Sequence, residues 1–463
     1  MFGMGRLRGW AFYCSVSVLT LAVVFFILNF SVVCGGLLDQ NMGYVSDDVW
    51  YVCSARNMLR EFWGLQPHAF KNGEAYATIL VRDLEGYDRV LEALKASGEP
   101  YEVLKDDYEK ALMGGWGKAF AVLASEEALH RVEEAGGKVY IGYPYPDSPG
   151  IMSYLNLEHP PLVKYVLALT MLVDDRPLAW RIPSLLLGSA ILILAYLAAR
   201  KLFGELGGLA AAAFIFTEQT VRAMSMVAML DIYLSFFTLL ALCFALEGRG
   251  LASALTIGLA GSVKLPGFFT LLGLLTSLAG RRRLKLLPLA VGIPVLVYFA
   301  LSLPVIQYLG GFKAWVEELL GALRWHVTPR PGGPPATDPL GLLFGFNAFP
   351  LSFSPPVAAA PNFLLNPMVI PLTFLLAPLA LKGVLRGVGT ALAWFWSTYL
   401  GYVAVYLAGN TTLYSFYAVQ FTPLAAVLGG GLIYLINNPE KFFEAVKIYG
   451  EALRLRRRVQ VGG

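Results

Sequence analysis

Asp231 is a candidate functional residue, because this carboxylate stands within an apolar segment of the sequence. A charged side chain at membrane depth is costly, and it normally has a partner and a function. Arg222 and Lys264 are the candidate partners, because both lie at the same edge of the apolar stretches. A structural ion pair between helices is the competing interpretation.

Asp47 and Asp48 form a second candidate site, about a dozen residues after the first apolar stretch and directly before Trp50 and Tyr51. Paired carboxylates can supply a general base. The segment Asp48–Glu61 has helical spacing, however, and Asp47 would suit the N-cap of that helix. A capping pair on an exposed helix therefore stays open as the alternative.

His159-Pro160-Pro161, followed by Lys164, opens a further apolar segment. Two consecutive prolines can start a helix but cannot continue one, so they define where the chain enters it. His159 and Lys164 would then lie about one helical turn apart, where they could face a phosphate. A helix start with a lysine that extends towards water fits the same pattern.

The elements that must position these residues are apolar helices. Of the 463 residues, 57% are hydrophobic and 15% are charged, whereas soluble chains carry about 25% charged residues. Many apolar stretches approach the roughly 20 residues that span a bilayer as a helix. Lipid cannot satisfy backbone polar groups, so these stretches must be helices packed in a bundle. The sequence therefore predicts a polytopic α-helical membrane protein.

Several classes of site are not visible in the sequence. The four cysteines and four histidines have neither metal-type spacing nor an HExxH motif, and a disulfide framework is not indicated. There is no dinucleotide fingerprint and no soluble DxD motif for a nucleotide sugar, and nothing indicates a nucleic-acid partner. The GxxxG string Gly204–Gly208 is a helix-packing motif rather than a phosphate loop.

Positively charged residues predict the orientation, because cytoplasmic loops are enriched in Lys and Arg. The apolar run from about residue 10 to 33 exceeds the 7–15 residues of a signal-peptide core, so it reads as an uncleaved signal anchor. The basic clusters that then fall on the cytoplasmic side are Arg6 and Arg8, Arg200 and Lys201, Arg249, Arg281–Arg283 with Lys285, Lys382 and Arg386, and the C-terminal tail Arg454 to Arg458.

This orientation predicts about ten spans, with both termini in the cytoplasm and large external loops at 35–177 and 307–361. The segment 161–173 is either interfacial or an eleventh span. The stretches 250–263 and 264–280 are each short for a span, so they form either a pair or one broken helix plus a neighbour.

Residues 74–144 differ in character from the rest of the first external loop. Their order of β-α-β followed by β-α-β predicts a small α/β domain of the ferredoxin-like type. Such a domain could recognise an acceptor or brace the loop. The second loop is rich in Pro and Gly over 328–361, and apolar aromatic residues near its end suggest that it returns to the membrane face and covers a site.

Four parts of the chain follow from these features. Residues 1–64 hold the signal-anchor helix and the acidic pair, and 65–150 hold the inserted soluble α/β domain. Residues 151–436 form the transmembrane core with the second external loop, and 437–463 form a basic cytoplasmic tail.

The string from Tyr154 to Lys164, with His159-Pro160-Pro161 inside it, resembles the HPPLGK region of the dolichyl-phosphate-mannose protein O-mannosyltransferases. Asp47 and Asp48 stand where that family has an Asp-Glu pair. Further similar strings follow in the same order, and they are Arg181–Ser184 with Leu197–Gly204, Arg222–Phe237, Ser262–Lys264 and, more loosely, Pro339–Phe353 and Asn366-Pro367. The resemblance covers most of the chain outside 65–150. It implies the GT-C superfamily, which also holds aminoarabinose transferases and oligosaccharyltransferases.

Four departures from the family pattern concern mainly the acceptor. Asp48 replaces the family's Glu, and the first external loop carries the inserted domain. The second external loop is too short for a MIR-type domain. Tyr414-Ser415-Phe416-Tyr417 stands where the family tends to have a Tyr-His-Tyr pattern.

The resemblance implies a glycosyltransferase of the cell membrane that acts on the external face. It would move a sugar, mannose by analogy, from a polyprenyl- or dolichyl-phosphate donor to a hydroxyl group of a protein, lipid or glycan acceptor. A phosphate leaving group needs no protonation, so the enzyme needs a base for the acceptor and cations for the phosphate. Attack from the opposite face would invert the anomeric centre.

Roles for individual residues follow from that reaction. Asp47 is the expected general base, with Asp48 either in support or orienting the acceptor. Asp231 and Tyr417 would orient the cations or bind the acceptor, and a groove beside 161–173 would admit the polyprenyl tail. No ligand set demands a metal, although a divalent metal stays open. The expected ligands of the donor phosphate are Arg222, Lys264, Lys164 and His159.

Two other classes of function stay open. A secondary transporter with an external α/β domain would place ionisable residues near the midplane, in repeated halves. Here they gather at the outer boundary and no internal repeat is evident, although Lys264 in a pair of short helices favours transport. A membrane scaffold that presents the inserted domain is the other alternative, and it leaves Asp231, Arg222 and Lys264 without a role.

Overall fold

The computed structural model describes residues 2–106, 108, 112, 117–329 and 334–461, with side chains from residue 10 to 451 within these ranges. The side chains of Arg6, Arg8 and the basic tail lie outside the described residues, as do Pro331, Gly332 and Gly333 of the second loop. The predicted cytoplasmic placement of the two termini therefore stays a prediction.

Helices make up most of the chain. They are α1 Phe2–Val32, α2 Asp48–Trp63, α3 Leu84–Ala96, α4 Glu126–Glu134, α5 Leu162–Met171, α6 Pro177–Thr217, α7 Gln219–Ser225, α8 Asp231–Leu246, α9 Gly250–Val263, α10 Leu271–Gly280, α11 Leu287–Tyr308, α12 Phe312–His326, α13 Pro339–Phe344, α14 Val369–Leu381, α15 Val388–Leu407, α16 Thr422–Asn437 and α17 Pro439–Val461. Short 3₁₀ segments at Leu265–Thr270 and Ser415–Gln420 lead into α10 and α16.

Three of the described segments are both long and apolar enough to cross a membrane, at Trp10–Leu37, Pro177–Thr217 and Leu284–Tyr308. Six shorter apolar helical segments pack with them in one continuous core. The predicted helical architecture is therefore present, and the number of spans stays a prediction. Gly204 interrupts α6 with φ 78° and ψ −176°, which divides this helix into two limbs.

The glycines of α6 permit close packing. A Cβ atom at Gly208 would lie 2.7 Å from the ring of Tyr196, and one at Gly207 would lie 3.2 Å from the carbonyl oxygen of Gly430 in α16. Any side chain at these positions would separate the two limbs of α6, or α6 from α16. The packing role expected of the GxxxG string agrees with these contacts.

The stretches 250–263 and 264–280 form an antiparallel pair of short helical segments. Gly250 packs on Leu278 at one end, and Gly261 packs on Phe268 near the other. Lys264 lies between them in extended backbone, with φ −158° and ψ 138°. A Cβ atom at Gly267 would lie 2.2 Å from the backbone of Ala260, so the tight reversal needs glycine there. The reversal places Lys264 at the tip of the pair.

The small α/β domain comprises α3, α4 and five strands, which are β1 Phe70–Lys71, β2 Glu74–Val81, β3 Tyr101–Lys105, β4 Lys118–Ala124 and β5 Lys138–Ile141. All strand pairs are antiparallel, with β4 between β3 and β2, and with β1 and β5 along the other side of β2. Ser125 caps α4 by accepting from the amide of Ala128, as the sequence indicated. The sheet domain is present, and its ferredoxin-like identity stays a prediction.

One face of this sheet is covered by α3 and α4, whereas the other face joins the core of the helical bundle. Ile79, Phe120 and Val122 pack under the two helices. Leu80, Ala119 and Ala121, which alternate with them along the strands, belong to the same core as the bundle. The domain is therefore docked onto the bundle through its sheet.

The loop at 307–361, predicted to be external, contains regular structure that the sequence analysis did not predict. Helix α12 opens it, and β6 Phe349–Phe353 pairs with β7 Pro356–Ala359 in a hairpin. Phe349 packs edge-on against Tyr414 and Phe416, at centroid distances of 5.2 and 5.0 Å. The end of this loop therefore returns to the bundle beside the 3₁₀ segment Ser415–Gln420.

Candidate active site

Asp47 and Asp48 face different surroundings at the start of α2. The Asp48 carboxylate accepts a 2.7 Å hydrogen bond from the amide of Val45, so Asp48 closes the turn that precedes the helix. Asp47 occupies the N-cap position without a side-chain capping bond. The capping interpretation therefore does not describe how Asp47 is used, and Asp47 is the member of the pair that lines a cavity.

Asp48 is enclosed by an ion pair with Arg181 of α6. An Nη2–Oδ2 distance of 2.6 Å joins them, and neither side chain is exposed. The same guanidinium donates to the carbonyl oxygens of Gly43 and Pro177, at 2.7 and 2.9 Å. Burial raises the pKa of Asp48 to about 7, although Arg181 acts in the opposite direction. Asp48 thus ties the start of α2 to α6 and does not face the cavity.

A second buried ion pair joins Lys264 to Asp231, with 2.9 Å between Nζ and Oδ1. Asp231 is the first residue of α8, and the positive end of a helix favours a carboxylate there. The ammonium group also lies 4.0 Å from the ring centroid of Tyr417 and 5.7 Å from that of Phe416. Of the two partners that the sequence suggested for Asp231, the structure pairs it with Lys264.

A cavity of about 710 Å³ lies between α2, the segment before α5, the end of α12 and the 3₁₀ segment at Ser415–Gln420. We refer to it as the acidic-end cavity, and its lining residues are Asp47, Trp50, Tyr51, Pro149, Gly150, Ser153, Tyr154, Asn156, Glu158, His159, Lys264, Trp325, His326, Pro334, Phe349, Tyr414, Phe416 and Tyr417. Of the residues predicted to act, it brings together Asp47, His159, Lys264 and Tyr417.

Four other predicted site residues do not line this cavity. Asp48 and Asp231 stand behind it as the partners of Arg181 and Lys264. Lys164 is fully buried and donates to the carbonyl oxygens of Asn156 and His159, so it holds the turn that precedes α5.

Arg222 of α7 is directed towards α1, where its Nε donates to the side chain of Asn29 at 3.3 Å. Lys164 and Arg222 were expected to hold the donor phosphate. Neither residue lines the acidic-end cavity, and both donate to protein groups, so we leave both out of the phosphate site proposed below.

Glu158 is a cavity residue that the sequence analysis did not single out. Its Oε1 accepts hydrogen bonds from the Tyr154 hydroxyl and from Asn156 Nδ2, the latter at 2.7 Å. Asn156 adopts a left-handed backbone conformation with φ 51°, which allows this tight network. Glu158 directly precedes His159 in the sequence, and that position was the available signal.

His326 at the end of α12 is a second such residue. Its Nε2 lies 3.1 Å from the carbonyl oxygen of Glu158, and its ring lies 5.1 Å from that of His159. The two residues of this hydrogen bond are 168 positions apart in the chain. No local pattern marks His326, because it belongs to the second external loop and meets the site only through folding.

No group of three or more His, Cys, Asp or Glu residues within the described parts of the chain could hold a metal ion. The acidic-end cavity instead combines the carboxylates of Asp47 and Glu158, the ammonium group of Lys264 and an aromatic lining. A carboxylate can accept a proton from a hydroxyl group, and an ammonium group can stabilise a phosphate.

Residues 158–308, about a third of the chain, match the family described as dolichyl-phosphate-mannose-protein mannosyltransferase. This range contains His159, Asp231 and Lys264, whereas Asp47 and Tyr417 lie outside it. The resemblance to this family is therefore confirmed over that range, and the match indicates a glycosyltransferase. No curated protein matches the sequence.

Three solved structures resemble the chain at low identity. ArnT from Cupriavidus metallidurans bound to undecaprenyl phosphate gives a TM-score of 0.42 at 17% identity, over 64% of this chain and 53% of that one. The apo oligosaccharyltransferase of Archaeoglobus fulgidus gives 0.48 at 13% identity, over 95% and 52%. AglB from Archaeoglobus fulgidus, in complex with an inhibitory peptide and a dolichol-phosphate, gives 0.45 at 11% identity, over 98% and 52%. The chain spans about half the length of these proteins.

Proposed function

We propose that this protein is a membrane glycosyltransferase that moves a sugar from a polyprenyl-phosphate donor to a hydroxyl acceptor. The observation that carries the proposal is the placement of Asp47 and Lys264 on the wall of one 710 Å³ cavity. They provide a base for the acceptor and a cation for the leaving phosphate. The family match over 158–308 supports the same class of reaction.

Asp47 is the proposed general base. The acceptor oxygen forms a bond to the anomeric carbon, and the bond from that carbon to the phosphate oxygen breaks. The acceptor proton passes to the Asp47 carboxylate, and the electron pair leaves with the phosphate. Attack opposite to the leaving group inverts the anomeric centre. Asp48 supports this base indirectly, because its bonds to Val45 and Arg181 hold the turn from which Asp47 projects.

Lys264 and His159 are the proposed ligands of the donor phosphate. Asp231 holds the Lys264 ammonium group from behind, while the ring of Tyr417 lies against it at 4.0 Å. Only part of the ammonium group is used by these contacts, since it carries three donors. A phosphate oxygen in the acidic-end cavity would therefore complete the coordination of Lys264. Tyr417 and Asp231 act here as orienting residues.

The external face of the cell membrane is the proposed location of the reaction. The first limb of α6, which ends at Gly204, and helix α8 both begin near the site and run to the opposite side of the bundle, where Lys201 pairs with Glu247 at 3.1 Å. Arg281 and Arg283 donate to carbonyl oxygens at this same end of α8. The basic clusters of separate loops thus meet at one end, and the enrichment of cytoplasmic loops in Lys and Arg orients the cavity outward.

Mannose is the sugar we propose, because the family description names it. The acceptor hydroxyl belongs to a protein, a lipid or a glycan. We propose that the inserted domain is ferredoxin-like and braces the site. Its exit strand leads to Tyr143, whose amide donates to Asp175, and Asp175 forms a fully buried pair with Arg56 of α2 at 2.6 Å.

Sugar transfer from radiolabelled polyprenyl-phosphate mannose in proteoliposomes tests this proposal, with a membrane extract as acceptor. General-base assistance is worth about 10²–10⁴ in rate, so Asp47→Asn should lose transfer by that factor and keep the melting temperature of the wild type. Asp39→Asn is the matched control, because Asp39 is exposed in the same external segment and does not line the cavity.

Undiminished transfer by folded Asp47→Asn would show that Asp47 is not the base. Absence of transfer by the wild type, from mannose and from every other polyprenyl-phosphate sugar offered, would reject the reaction class. That outcome would favour the transporter interpretation.

A further inference from the structure

A second large cavity, of about 600 Å³, lies between α10, α14 and α15 at the end of the bundle where the basic clusters meet. We call it the basic-end cavity, and the lining residues used here are Ser277, Gly280, Arg281, Leu381, Arg386 and Thr390. Among the residues that the structure describes, no Asp or Glu lines it. Two guanidinium groups without a carboxylate in one cavity constitute a site for an anion.

The length of α15 separates the two cavities. From Val388, beside the basic-end cavity, to Tyr402 this helix rises about 21 Å at 1.5 Å per residue. Near its other end, Tyr402 stacks on Tyr417 of the acidic-end cavity, with 5.8 Å between ring centroids. This rise is most of the roughly 30 Å thickness of the hydrocarbon core of a bilayer. The basic-end cavity therefore belongs to the opposite membrane surface.

The two arginines differ in the number of hydrogen bonds that their guanidinium groups make within the protein. Arg281 donates through Nη2 to the carbonyl oxygen of Leu246 at 3.2 Å, which leaves other donors of its guanidinium for a ligand. Arg386 is exposed and, within the described part of the chain, has no hydrogen-bond or ion-pair partner. The hydroxyl groups of Thr390 and Ser277, 3.2 Å apart, add neutral polar groups to the same wall.

A neighbouring cavity at the same end of the bundle shows the contrast. It holds about 480 Å³ and is lined by Arg200, Lys201 and Glu247 among others. There Lys201 is paired with Glu247 at 3.1 Å, so the protein supplies its own counter-charge. No described carboxylate lines the basic-end cavity, so a counter-charge has to enter this cavity from elsewhere.

The apolar side of the basic-end cavity indicates a lipid rather than a soluble anion. Leu381 lines the cavity and is 88% exposed, and Phe374 on the same helix is 63% exposed. Acyl chains can cover these side chains while a headgroup occupies the cationic part. Basic pockets between membrane helices on the cytoplasmic side are known to bind anionic headgroups.

We propose that the basic-end cavity binds the phosphate headgroup of an anionic membrane lipid, with Arg281 and Arg386 as its ligands. The acyl chains would lie along α14, past Leu381. This lipid site lies on the other side of the membrane from the acidic-end cavity, and it does not depend on the glycosyltransferase reaction.

Native mass spectrometry of the full chain, purified in detergent, tests the proposal by titration with phosphatidylglycerol. Phosphatidylcholine, which has the same phosphate but no net charge, is the comparator. Removing one cationic contact costs about five-fold in affinity, which corresponds to about 1 kcal/mol per basic residue, and Arg386→Ala should show this loss. Lys285→Ala is the matched control, because Lys285 is exposed at the same end and does not line the cavity.

A bulky substitution in the basic-end cavity tests lipid binding there independently. Gly280 is the last residue of α10, and a Cβ atom built there would meet no other atom within 4 Å. Gly280→Leu should therefore project into open space at the cavity without disturbing the fold, and it should weaken phosphatidylglycerol binding at least five-fold. Melting temperatures close to that of the wild type would verify that both variants are folded.

Three results would overturn the proposal. Equal binding of the two lipids would show that the site does not distinguish an anionic headgroup from one without net charge. Equal weakening by Lys285→Ala and Arg386→Ala would assign the effect to general surface charge. Displacement of phosphatidylglycerol by millimolar inorganic phosphate would make the ligand a soluble phosphate rather than a lipid.

Discussion

Two buried ion pairs near the acidic-end cavity differ in what surrounds the cation. Arg181 and Asp48 are both fully enclosed, and their other hydrogen bonds go to the protein backbone. Lys264 and Asp231 are also almost fully buried, at 7% and 1% side-chain exposure, but Lys264 reaches the wall of the cavity. The first pair connects helices, whereas the second presents a positive charge to the cavity.

The comparison shows that burial of a charge does not by itself indicate a catalytic residue. A buried pair that is wholly satisfied by the protein serves the structure, and breaking it leaves an uncompensated charge. A buried pair whose cation borders a cavity can serve a substrate as well. Four predictions test this distinction, from the largest expected effect to the smallest.

Arg181→Met should destabilise the protein by about 3–5 kcal/mol, because the Asp48 carboxylate then stays buried without its cation. Thermal unfolding in detergent measures the loss. Arg176→Met is the matched control, since Arg176 pairs with Asp174 at the surface, where the two side chains are 46% and 28% exposed. An exposed pair is worth about 0–1 kcal/mol. Similar losses in both variants would contradict the assignment of Arg181 to a structural pair.

Double variants separate the two pairs by function. Replacing both partners of a buried pair by neutral groups of similar shape can be nearly neutral for stability. Arg181→Met with Asp48→Asn should therefore recover most of the stability and retain sugar transfer. Lys264→Met with Asp231→Asn should fold equally well, but it should lose about 10²–10³ in transfer rate, as when one donor to a developing oxyanion is removed.

The transfer assay in proteoliposomes compares these two doubles directly. Equal transfer rates in the two double variants would show that the Lys264–Asp231 pair at the cavity wall and the enclosed Arg181–Asp48 pair do not differ in function. A slow Arg181/Asp48 double with normal melting would indicate that Asp48 takes part in the reaction itself.

Glu218, between α6 and α7, provides a buried carboxyl group without a cation. Burial raises its pKa to about 7, while hydrogen bonds from Thr220 and Asn362 act in the opposite direction. From pH 4.5 to 7 the folded protein therefore binds more protons than the unfolded chain. The free energy of unfolding should fall as pH rises through this window, by up to about 3 kcal/mol.

Glu218→Gln should flatten that pH dependence, because an amide does not ionise but can still accept the bond from the Thr220 amide. Melting temperatures of both proteins between pH 4.5 and 8 provide the measurement. Parallel curves for wild type and variant would mean that Glu218 does not cause the decline.

The smallest expected effect is the loss of transfer rate when the contact between the Tyr417 ring and the Lys264 ammonium group is removed. Tyr417→Phe keeps the ring 4.0 Å from the ammonium group and should transfer sugar at nearly the normal rate, unless the hydroxyl group binds the acceptor. Tyr417→Leu removes the ring, and the loss of about 0.5–2 kcal/mol should lower the rate by roughly 2- to 30-fold. A Phe variant as slow as the Leu variant would assign the role to the hydroxyl group.

Much of the site could be predicted because its residues stand out locally. Asp231 and Lys264 are charged residues in apolar surroundings. His159 lies just before a helix, within a short string that resembles a known family. Asp47 follows the first apolar stretch closely. Two local rules are enough to recognise these residues: burying a charge in an apolar segment is costly, and the start of a helix needs hydrogen-bond partners.

The direction of neighbouring side chains could not be predicted in the same way. Asp47 and Asp48 are adjacent and chemically alike, yet one lines the cavity and the other is enclosed with Arg181. The difference depends on Arg181 of α6, which reaches Asp48 from a distant part of the chain. Lys164 likewise looked like a phosphate ligand, and it is the backbone before α5 that occupies its ammonium group.

By itself the sequence determined that this chain forms apolar helices, where its basic clusters lie, and that a small α/β domain follows the first apolar helix. Those properties follow from hydrophobic runs, charge and local propensity, which act over a few helical turns. Only the tertiary structure decided that His326 meets Glu158, that Lys264 lies at the tip of a reversal, and that Arg281 and Arg386 share one cavity. These contacts join residues far apart in the chain, and the physical reason is that packing between helices, rather than local pattern, selects them.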